Sequence, residues 1–153
     1  EKSINKDNIV FRIVGITKEQ FTKLYPGNET LLKNIKKSVF FLGRLSHSET
    51  VKMITSSDYM IFMRPQNRVS MAGFSTKFVE AISCGTSVIT TDTGDLKSII
   101  KSTGAGIIVN STRDLTNYLN NDLNFLKEKA IIKDKSLFSY EKYVQIFDAW
   151  ITK

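Results

Sequence analysis

The sequence contains very few of the residues that build disulfides, metal clusters and rigid turns. Its 153 residues include one cysteine, one histidine and two prolines. Because Cys84 is the single cysteine, an internal disulfide and a cysteine metal cluster are excluded, and the single histidine, His47, excludes a histidine-rich zinc site. This composition is compatible with a reducing, cytoplasmic setting.

The sequence also lacks a long hydrophobic run. Its longest candidate, residues 59–63, has the length of a β-strand, whereas a membrane-spanning helix needs ~20 apolar residues. Residues 1–7 are polar and have none of the apolar core of a signal peptide. Since the chain does not begin with methionine, we expect it to be a piece of a longer protein.

Positive charge exceeds negative charge, with a net charge of +7 at pH 7. This charge suits an anionic partner, which could be a nucleotide diphosphate, an anionic membrane surface or nucleic acid, although a lysine-rich surface also serves solubility alone. The lysines are scattered, and no basic motif alternates with aromatic residues. Both features argue against nucleic acid.

Strand-like and helix-like patterns alternate along the whole chain. Two helix starts carry capping-box spacings, Thr17 with Gln20 and Ser46 with Glu49, and Gly85 is placed to end a helix over about residues 75–84. Short buried strands that alternate with helices predict a single α/β domain, with a doubly wound, Rossmann-like parallel sheet in a three-layer αβα arrangement. The strands are expected at about residues 9–14, 39–42, 59–63, 87–91 and 107–109.

Two amphipathic helices are expected near the C-terminal end. The second carries six large apolar residues on one stripe, which must be buried either against this domain or, in part, against a partner domain outside the chain. The first helix is marked by Leu115, Tyr118, Leu119 and Leu126, and the stripe of the second consists of Tyr140, Tyr143, Val144, Phe147, Trp150 and Ile151.

The segment after the third strand is the strongest candidate for a binding site. Ligands of open parallel sheets bind beyond the carboxyl ends of the strands. The connection over residues 64–76 is longer than the roughly 2–6 residues usual for such a loop. It carries Arg64 and Arg68, and Gly73 lies shortly before a helix start. Free backbone N–H groups at a helix start can hold a phosphate, and a glycine lets the phosphate approach the backbone closely.

The helix that follows this loop supplies further polar groups. Ser75 or Thr76 can cap it or donate a hydroxyl group to a ligand, and Lys77 and Glu80 share one face. Glu80, one turn from the phosphate end, can accept two hydrogen bonds from the vicinal hydroxyls of a ribose. The plainer alternatives are an ordinary solvated or salt-bridged helix position for Glu80, an ion pair with an acidic residue for Arg64 and a solvated surface position for Lys77.

Residues 73–91, GFSTKFVEAISCGTSVITT, resemble the hallmark segment of GT-B-fold glycosyltransferases of the family 4 type. The variant is close to that of enzymes that build bacterial capsular and other surface polysaccharides. Residues 11–15, 39–43 and 57–62 are similar to the preceding strands of that family. The resemblance covers about residues 8–110, and it implies the C-terminal, donor-binding half of a retaining transferase that uses a UDP- or GDP-sugar and no metal.

The resemblance also implies roles for single residues. Glu80 matches the second glutamate of a paired-glutamate motif and would bind the donor ribose. The first glutamate would fall at position 72, where this chain has Ala72. Arg64, Asn67 or Arg68 could take over part of its role, and Arg64 and Lys77 are candidates for stabilising the leaving diphosphate. The remaining implied donor contacts are Gly73, Phe74, Ser75 and Thr76 for the sugar and diphosphate, and Gly43 and Arg44 beside the nucleobase.

Two other functions stay open alongside this transferase interpretation. One is another nucleotide-sugar enzyme such as an epimerase, which lacks support because no Gly-x-Gly-x-x-Gly follows the first strand. The other is a non-catalytic Rossmann-like binding domain, which Ala72 favours. For the transferase, we expect an acceptor-binding N-terminal domain outside this chain, a glycan or lipid-linked acceptor, and a cytoplasmic site of action at the inner membrane face.

Overall fold

The computed structural model describes residues 9–35, 37–121, 132 and 134–152. Residues Glu1–Thr50 and Val51–Lys153 form two compact units. Each unit contains its own parallel sheet, of two strands in the first unit and three in the second. The predicted parallel pairing of the strands is therefore confirmed.

The first unit is built around strands β1 (Phe11–Val14) and β2 (Val39–Gly43), which pair in parallel with Phe11 opposite Val39. Helix α1 (Lys18–Leu24) starts at the predicted capping box. The Thr17 amide donates to Oε1 of Gln20 at 2.9 Å, and the Gln20 amide donates to Oγ1 of Thr17 at 3.2 Å. A second helix, α2 (Glu29–Asn34), was not expected from the sequence, because its six residues are too few to show a helical period.

Helix α3 (His47–Thr55) begins at the second predicted capping box. The Ser46 amide donates to Oε2 of Glu49 at 2.8 Å, and the Glu49 amide donates to Oγ of Ser46 at 3.3 Å. The helix ends two residues before the predicted end at about residue 57.

The second unit continues with alternating strands and helices, and its sheet has the order β3-β4-β5 with all strands parallel. The central strand β4 is buried throughout, as expected for a strand covered on both faces. The elements are β3 (Tyr59–Phe62), α4 (Arg68–Ala72), α5 (Thr76–Ser83), β4 (Ser87–Thr90), α6 (Leu96–Thr103), β5 (Gly106–Ile108) and α7 (Thr112–Asn121).

Helix α5 is anchored to the core by one face and stopped by a glycine. Phe78, Ala81 and Ile82 are fully buried, and a buried side chain of the size of Phe78 contributes about 1.5–3 kcal/mol through loss of water contact. Gly85 adopts a φ of +79° and donates to the carbonyl of Ile82 at 2.9 Å. This left-handed turn is the helix end that the sequence predicted.

The C-terminal segment differs from the prediction. A 3₁₀ turn (Tyr140–Tyr143) precedes a short helix, α8 (Val144–Ile151), instead of one continuous helix. The apolar stripe is not packed on its own domain, since Trp150 is 78% exposed and Phe147 is 60% exposed. The expectation of burial against this domain is wrong, because in the part of the chain that the structure describes no element covers α8. Leu126 of the preceding predicted helix lies outside the described residues.

Within the described residues, no helix is long and apolar enough to cross a membrane. Buried apolar side chains form a cluster between the sheet of the second unit and helices α3, α5 and α6. This cluster fixes α5 against the strand ends where the predicted site lies.

Candidate functional site

The loop after β3 is tied to the loop after β4 by hydrogen bonds between residues far apart in the sequence. The Arg64 amide donates to Oγ1 of Thr91 at 2.9 Å, and the Thr91 hydroxyl donates back to the Arg64 carbonyl at 2.7 Å. The carboxamide of Gln66 donates through Nε2 to the Asp92 carbonyl at 2.9 Å. These bonds hold the main chain of Arg64 at the carboxyl end of the sheet.

The loop also contains a short helix, α4, that the sequence interpretation treated as irregular. Oδ1 of Asn67 accepts a hydrogen bond from the Ser70 amide at 2.9 Å, and the buried Ser70 hydroxyl reaches back to the carbonyl of Pro65. The Asn67–Ser70 spacing is a helix-start signal, and it could have identified α4. The long connection is therefore an ordered segment.

Close backbone packing joins the end of this loop to the loop after β4. Gly94 has a φ of +56°, and a Cβ atom at that position would lie 3.3 Å from the Gly73 carbonyl oxygen. Glycine is therefore favoured at position 94 both by conformation and by space. The contact places residues 71–73 against the loop after β4.

A hollow of about 330 Å³ opens at the start of α5, lined by residues 62–64 and 74–77. This helix-start hollow is bordered by the amides of Thr76 and Lys77, which have no hydrogen-bond partner in the described structure. Ser75 occupies the N-cap position and is buried, yet its side chain makes no capping hydrogen bond. The positive end of α5 is therefore open to an anion.

The charged side chains near this hollow are unpaired within the part of the chain that the structure describes. Among residues 9–35, 37–121, 132 and 134–152, no hydrogen bond or ion pair engages the side chain of Arg64, Lys77 or Glu80. The nearby ion pair, between Lys97 and Asp92 at 3.6 Å, involves none of them. The alternative that Arg64 and Glu80 serve structural ion pairs thus has no support among these residues.

Glu80 lies on α5 but outside the walls of the hollow. Its side chain is exposed, and its position is four residues, about 6 Å of helix rise, beyond Thr76. A ligand that fills the helix-start hollow and extends along α5 would reach its carboxylate. The geometry suits a ligand with an anionic group followed by hydroxyl groups.

Phe74, which lines the helix-start hollow, packs in a cluster with two other phenylalanines. The ring of Phe74 packs edge-on against Phe78 at 6.1 Å between centroids and against Phe138 at 5.8 Å. Phe138 and Phe78 are 5.7 Å apart. Phe74 is 45% exposed, so that part of its ring faces solvent at the site, while the buried Phe78 and the partly buried Phe138 pack against it.

A second hollow of about 340 Å³ lies at the ends of the strands, lined by residues 63–66, Thr91 and 109–110. This strand-end hollow shares Met63 and Arg64 with the helix-start hollow. Among its side chains, Gln66 and Asn110 offer carboxamides. The parallel pairing of β3, β4 and β5 brings the two loops that carry them to the same end of the sheet.

The structure joins only some of the predicted site residues. Arg64, Phe74, Ser75, Thr76 and Lys77 line the helix-start hollow. Residues 68, 72, 73 and 80 are exposed in α4, its C-cap and α5, outside the linings of both hollows. Position 72, at the end of α4, presents a methyl group and no carboxylate.

Gly43 and Arg44 belong to the first unit. Gly43 has a φ of +64° and donates to the Ile16 carbonyl at 3.2 Å, which joins the end of β2 to the segment after β1, and Arg44 is exposed. Their contact with a nucleobase stays a prediction. In the described residues, no group of three or more acidic, cysteine or histidine side chains is arranged to hold a metal ion.

A comparison with protein-family models covers most of the sequence. Residues 1–136 match the model of the glycosyl transferases group 1. The chain belongs to the group 1 glycosyl transferases. No curated protein sequence matches this group 1 glycosyl transferase.

Solved structures with a similar fold include Anabaena Alr3699/HepE in complex with UDP, at a TM-score of 0.59 and 17% identity. The match covers 95% of the chain described here and 41% of the Alr3699/HepE chain. AviGT4, a glycosyltransferase involved in avilamycin A biosynthesis, matches at a TM-score of 0.51 and 17% identity over 94% of this chain and 44% of its own. The chain thus spans about two fifths of these structures, and the likeness confirms the predicted Rossmann-like α/β fold class.

Proposed function

We propose that this group 1 glycosyl transferase chain binds a nucleotide-diphospho-sugar with its diphosphate at the start of α5. One observation carries the proposal. The unpaired amides of Thr76 and Lys77 border the same hollow as Arg64 and Lys77, whose cationic side chains have no partner among the described residues. Backbone N–H groups and a helix dipole favour phosphate, and a guanidinium group can form charge-assisted hydrogen bonds with it.

The nucleoside extends from the diphosphate along α5 in this proposal. Glu80 is exposed and unpaired in the described chain, one turn from Thr76, where its carboxylate accepts hydrogen bonds from the ribose hydroxyls. UDP is the first nucleotide to test, because a solved structure of similar fold contains UDP. GDP is the alternative nucleotide, and contact of Gly43 and Arg44 with the nucleobase stays a prediction.

The proposed reaction is transfer of the sugar with retention of configuration to a glycan or lipid-linked acceptor. The chain stabilises negative charge on the departing diphosphate through Arg64, Lys77 and the α5 amides, and needs no metal for this. We further propose an acceptor-binding N-terminal domain in the parent protein, and a role in bacterial surface polysaccharide synthesis at the cytoplasmic face of the membrane. The resemblance of residues 73–91 to enzymes of that type supports this role.

Binding without turnover is the second candidate function. The observation that favours it is Ala72, which leaves the end of α4 without the carboxylate that the paired-glutamate motif would supply. The two candidates share the donor site and differ in chemistry. An assay of sugar-nucleotide hydrolysis and transfer by the parent protein separates them, since only a transferase releases UDP in the presence of acceptor.

Calorimetric titration with UDP, UMP and uridine tests the shared donor site. We expect affinity to fall from UDP to UMP to uridine, because the α5 start and its two cationic side chains contribute only when phosphates are present. We also expect the affinity for UDP to fall as salt rises. Equal binding of UDP and uridine, or absence of binding of both UDP and GDP, would refute the proposed placement of the diphosphate.

A further inference from the structure

We propose that Thr91 is a positioning residue of the diphosphate site, whose hydroxyl group fixes the main chain of Arg64 and thereby the guanidinium group that meets the phosphates. The inference rests on the proposed function, because it assumes that Arg64 binds a diphosphate in the helix-start hollow. It deepens that function by assigning part of the affinity for phosphate to a residue outside the lining of that hollow.

The hydrogen-bond ladder between β3 and β4 stops before it reaches Arg64. The register of the two strands runs from Tyr59 opposite Ser87 to Phe62 opposite Thr90. Arg64 lies two residues beyond this pairing, and no backbone group of the described residues bonds to its main chain. Main-chain N–H and C=O groups that leave a strand need other partners.

The hydroxyl group of Thr91 satisfies both of these main-chain groups. The Arg64 amide donates to Oγ1 of Thr91 at 2.9 Å, and the same hydroxyl donates to the Arg64 carbonyl at 2.7 Å. A hydroxyl group can donate one hydrogen bond and accept others, whereas the side chains of valine and alanine can do neither. Thr91 therefore extends the ladder to Arg64 by means of its side chain.

Thr91 is itself held by the most deeply buried strand of the sheet. It follows β4, in which every residue is buried. The hydroxyl of the buried Thr90 donates to the Thr91 carbonyl at 3.3 Å, and the Val109 amide donates to the Thr90 carbonyl at 2.9 Å. The main chain of Arg64 is thus tied to a rigid part of the fold, and a binding group held in this way loses less entropy when it meets its ligand.

The two hollows separate the effect of Thr91 from direct contact with the diphosphate. Thr91 lines only the strand-end hollow, whereas Arg64 lines both hollows. A diphosphate at the start of α5 therefore meets Arg64 and not Thr91. It follows that the Thr91 hydroxyl can affect phosphate binding only as long as the Arg64 side chain is present.

A double-mutant cycle on Thr91 and Arg64 tests this dependence, with calorimetric affinities for UDP and uridine, or for GDP and guanosine if the chain prefers guanine. We expect Arg64→Ala to weaken UDP binding about 10- to 100-fold, as for one lost charge-assisted hydrogen bond. Thr91→Val should weaken it about 3- to 10-fold, a part of that loss, and leave uridine binding within about twofold. In the Arg64→Ala background, Thr91→Val should change UDP affinity by less than about twofold.

Two further variants separate positioning from a general loss of stability. Thr91→Ser keeps the hydroxyl group and should retain the UDP affinity of the unmodified chain within about twofold. Thr86→Val is the matched control, because the buried Thr86 hydroxyl donates to the Ile54 carbonyl at 2.7 Å and Thr86 lines neither hollow. It should lower the midpoint of urea unfolding and leave UDP affinity unchanged. If Thr91→Val does not fold, Thr91→Ala removes the same hydroxyl and takes its place in the cycle.

Several results would overturn the positioning role while the diphosphate site stands. They are an unchanged UDP affinity in Thr91→Val, an equal loss of uridine affinity, a loss that persists in the Arg64→Ala background, and a Thr91→Ser variant that binds UDP as weakly as Thr91→Val. If neither UDP nor GDP binds the unmodified chain, or if Arg64→Ala binds the nucleotide as tightly as the unmodified chain, the proposed diphosphate contact fails first and the role of Thr91 with it.

Discussion

Replacement of Glu80 by alanine is the sharpest single change at the proposed donor site. Glu80 is exposed, its side chain makes no hydrogen bond or ion pair within the described structure, and its backbone carbonyl accepts from the Cys84 amide at 3.0 Å. Glu80→Ala therefore removes no contact that holds the fold, and alanine is the better helix former. Any loss of nucleotide affinity reports on the ligand.

The size of the loss follows from the two ribose hydroxyls assigned to this carboxylate. A hydrogen bond to a charged group contributes roughly 1.5–3 kcal/mol. Because Glu80 is exposed to water, we expect the two ribose hydrogen bonds together to contribute about this much to the binding free energy, and not twice as much. Because 1.4 kcal/mol corresponds to a factor of ten, UDP should bind about 10- to 100-fold more weakly to Glu80→Ala.

A comparison with 2′-deoxy-UDP turns this expectation into a double-mutant cycle. The unmodified chain should bind 2′-deoxy-UDP about 3- to 10-fold more weakly than UDP, since one of two hydrogen bonds is lost. In Glu80→Ala the two ligands should bind equally. Glu29→Ala, an exposed helix glutamate of the first unit, is the control and should leave both affinities unchanged. A deoxy penalty that persists in Glu80→Ala would refute the assignment of the ribose to Glu80.

Four further predictions concern stability, acid titration and metal. Gly106→Ala places a methyl group against the Val88 carbonyl between β4 and β5, and we expect a loss of about 1–3 kcal/mol in the free energy of unfolding, measured by urea denaturation. Gly85→Ala forces alanine to a φ of +79° and brings its Cβ to 2.5 Å from Cε of Lys135. Gly85→Ala should lower the free energy of unfolding by roughly 1–2 kcal/mol. A second substitution, Lys135→Ala, should restore only the part of this loss that is due to crowding. Full restoration would contradict the contribution of backbone strain. Hydrogen bonds from Lys142 and Ser136 lower the pKa of Asp134 from 3.8 to about 2. The contact therefore stabilises the fold above pH 4, and this stabilisation is lost as the pH falls through 2. An NMR titration midpoint of Asp134 near 3.8 would contradict this prediction. Finally, EDTA should leave the calorimetric affinity for UDP unchanged, and a loss that Mg²⁺ restores would show that the site needs a cation.

The elements that the sequence predicts correctly depend on contacts between near neighbours. The Thr17–Gln20 and Ser46–Glu49 capping boxes each span three residues, and both form as expected. The end of α5 at Gly85 follows from the ability of glycine to adopt a positive φ. These local signals place the starts of α1 and α3 and the end of α5 without knowledge of the fold.

The features that the sequence did not predict depend on distant contacts or on very short helices. The bond between Arg64 and Thr91 joins residues 27 positions apart, which no local sequence pattern indicates. Helix α4 has five residues, fewer than a pattern of helical period needs. The apolar stripe around Trp150 predicted burial, but periodicity does not say against what a face packs.

The most direct test of the account follows the backbone amides of Thr76 and Lys77 by NMR during a titration with UDP. We predict saturable shifts at these two amides, much smaller shifts with uridine at the same concentration, and a common dissociation constant with the calorimetric titration. UDP-induced shifts that leave Thr76 and Lys77 unmoved would contradict the claim that the open end of α5 holds the diphosphate.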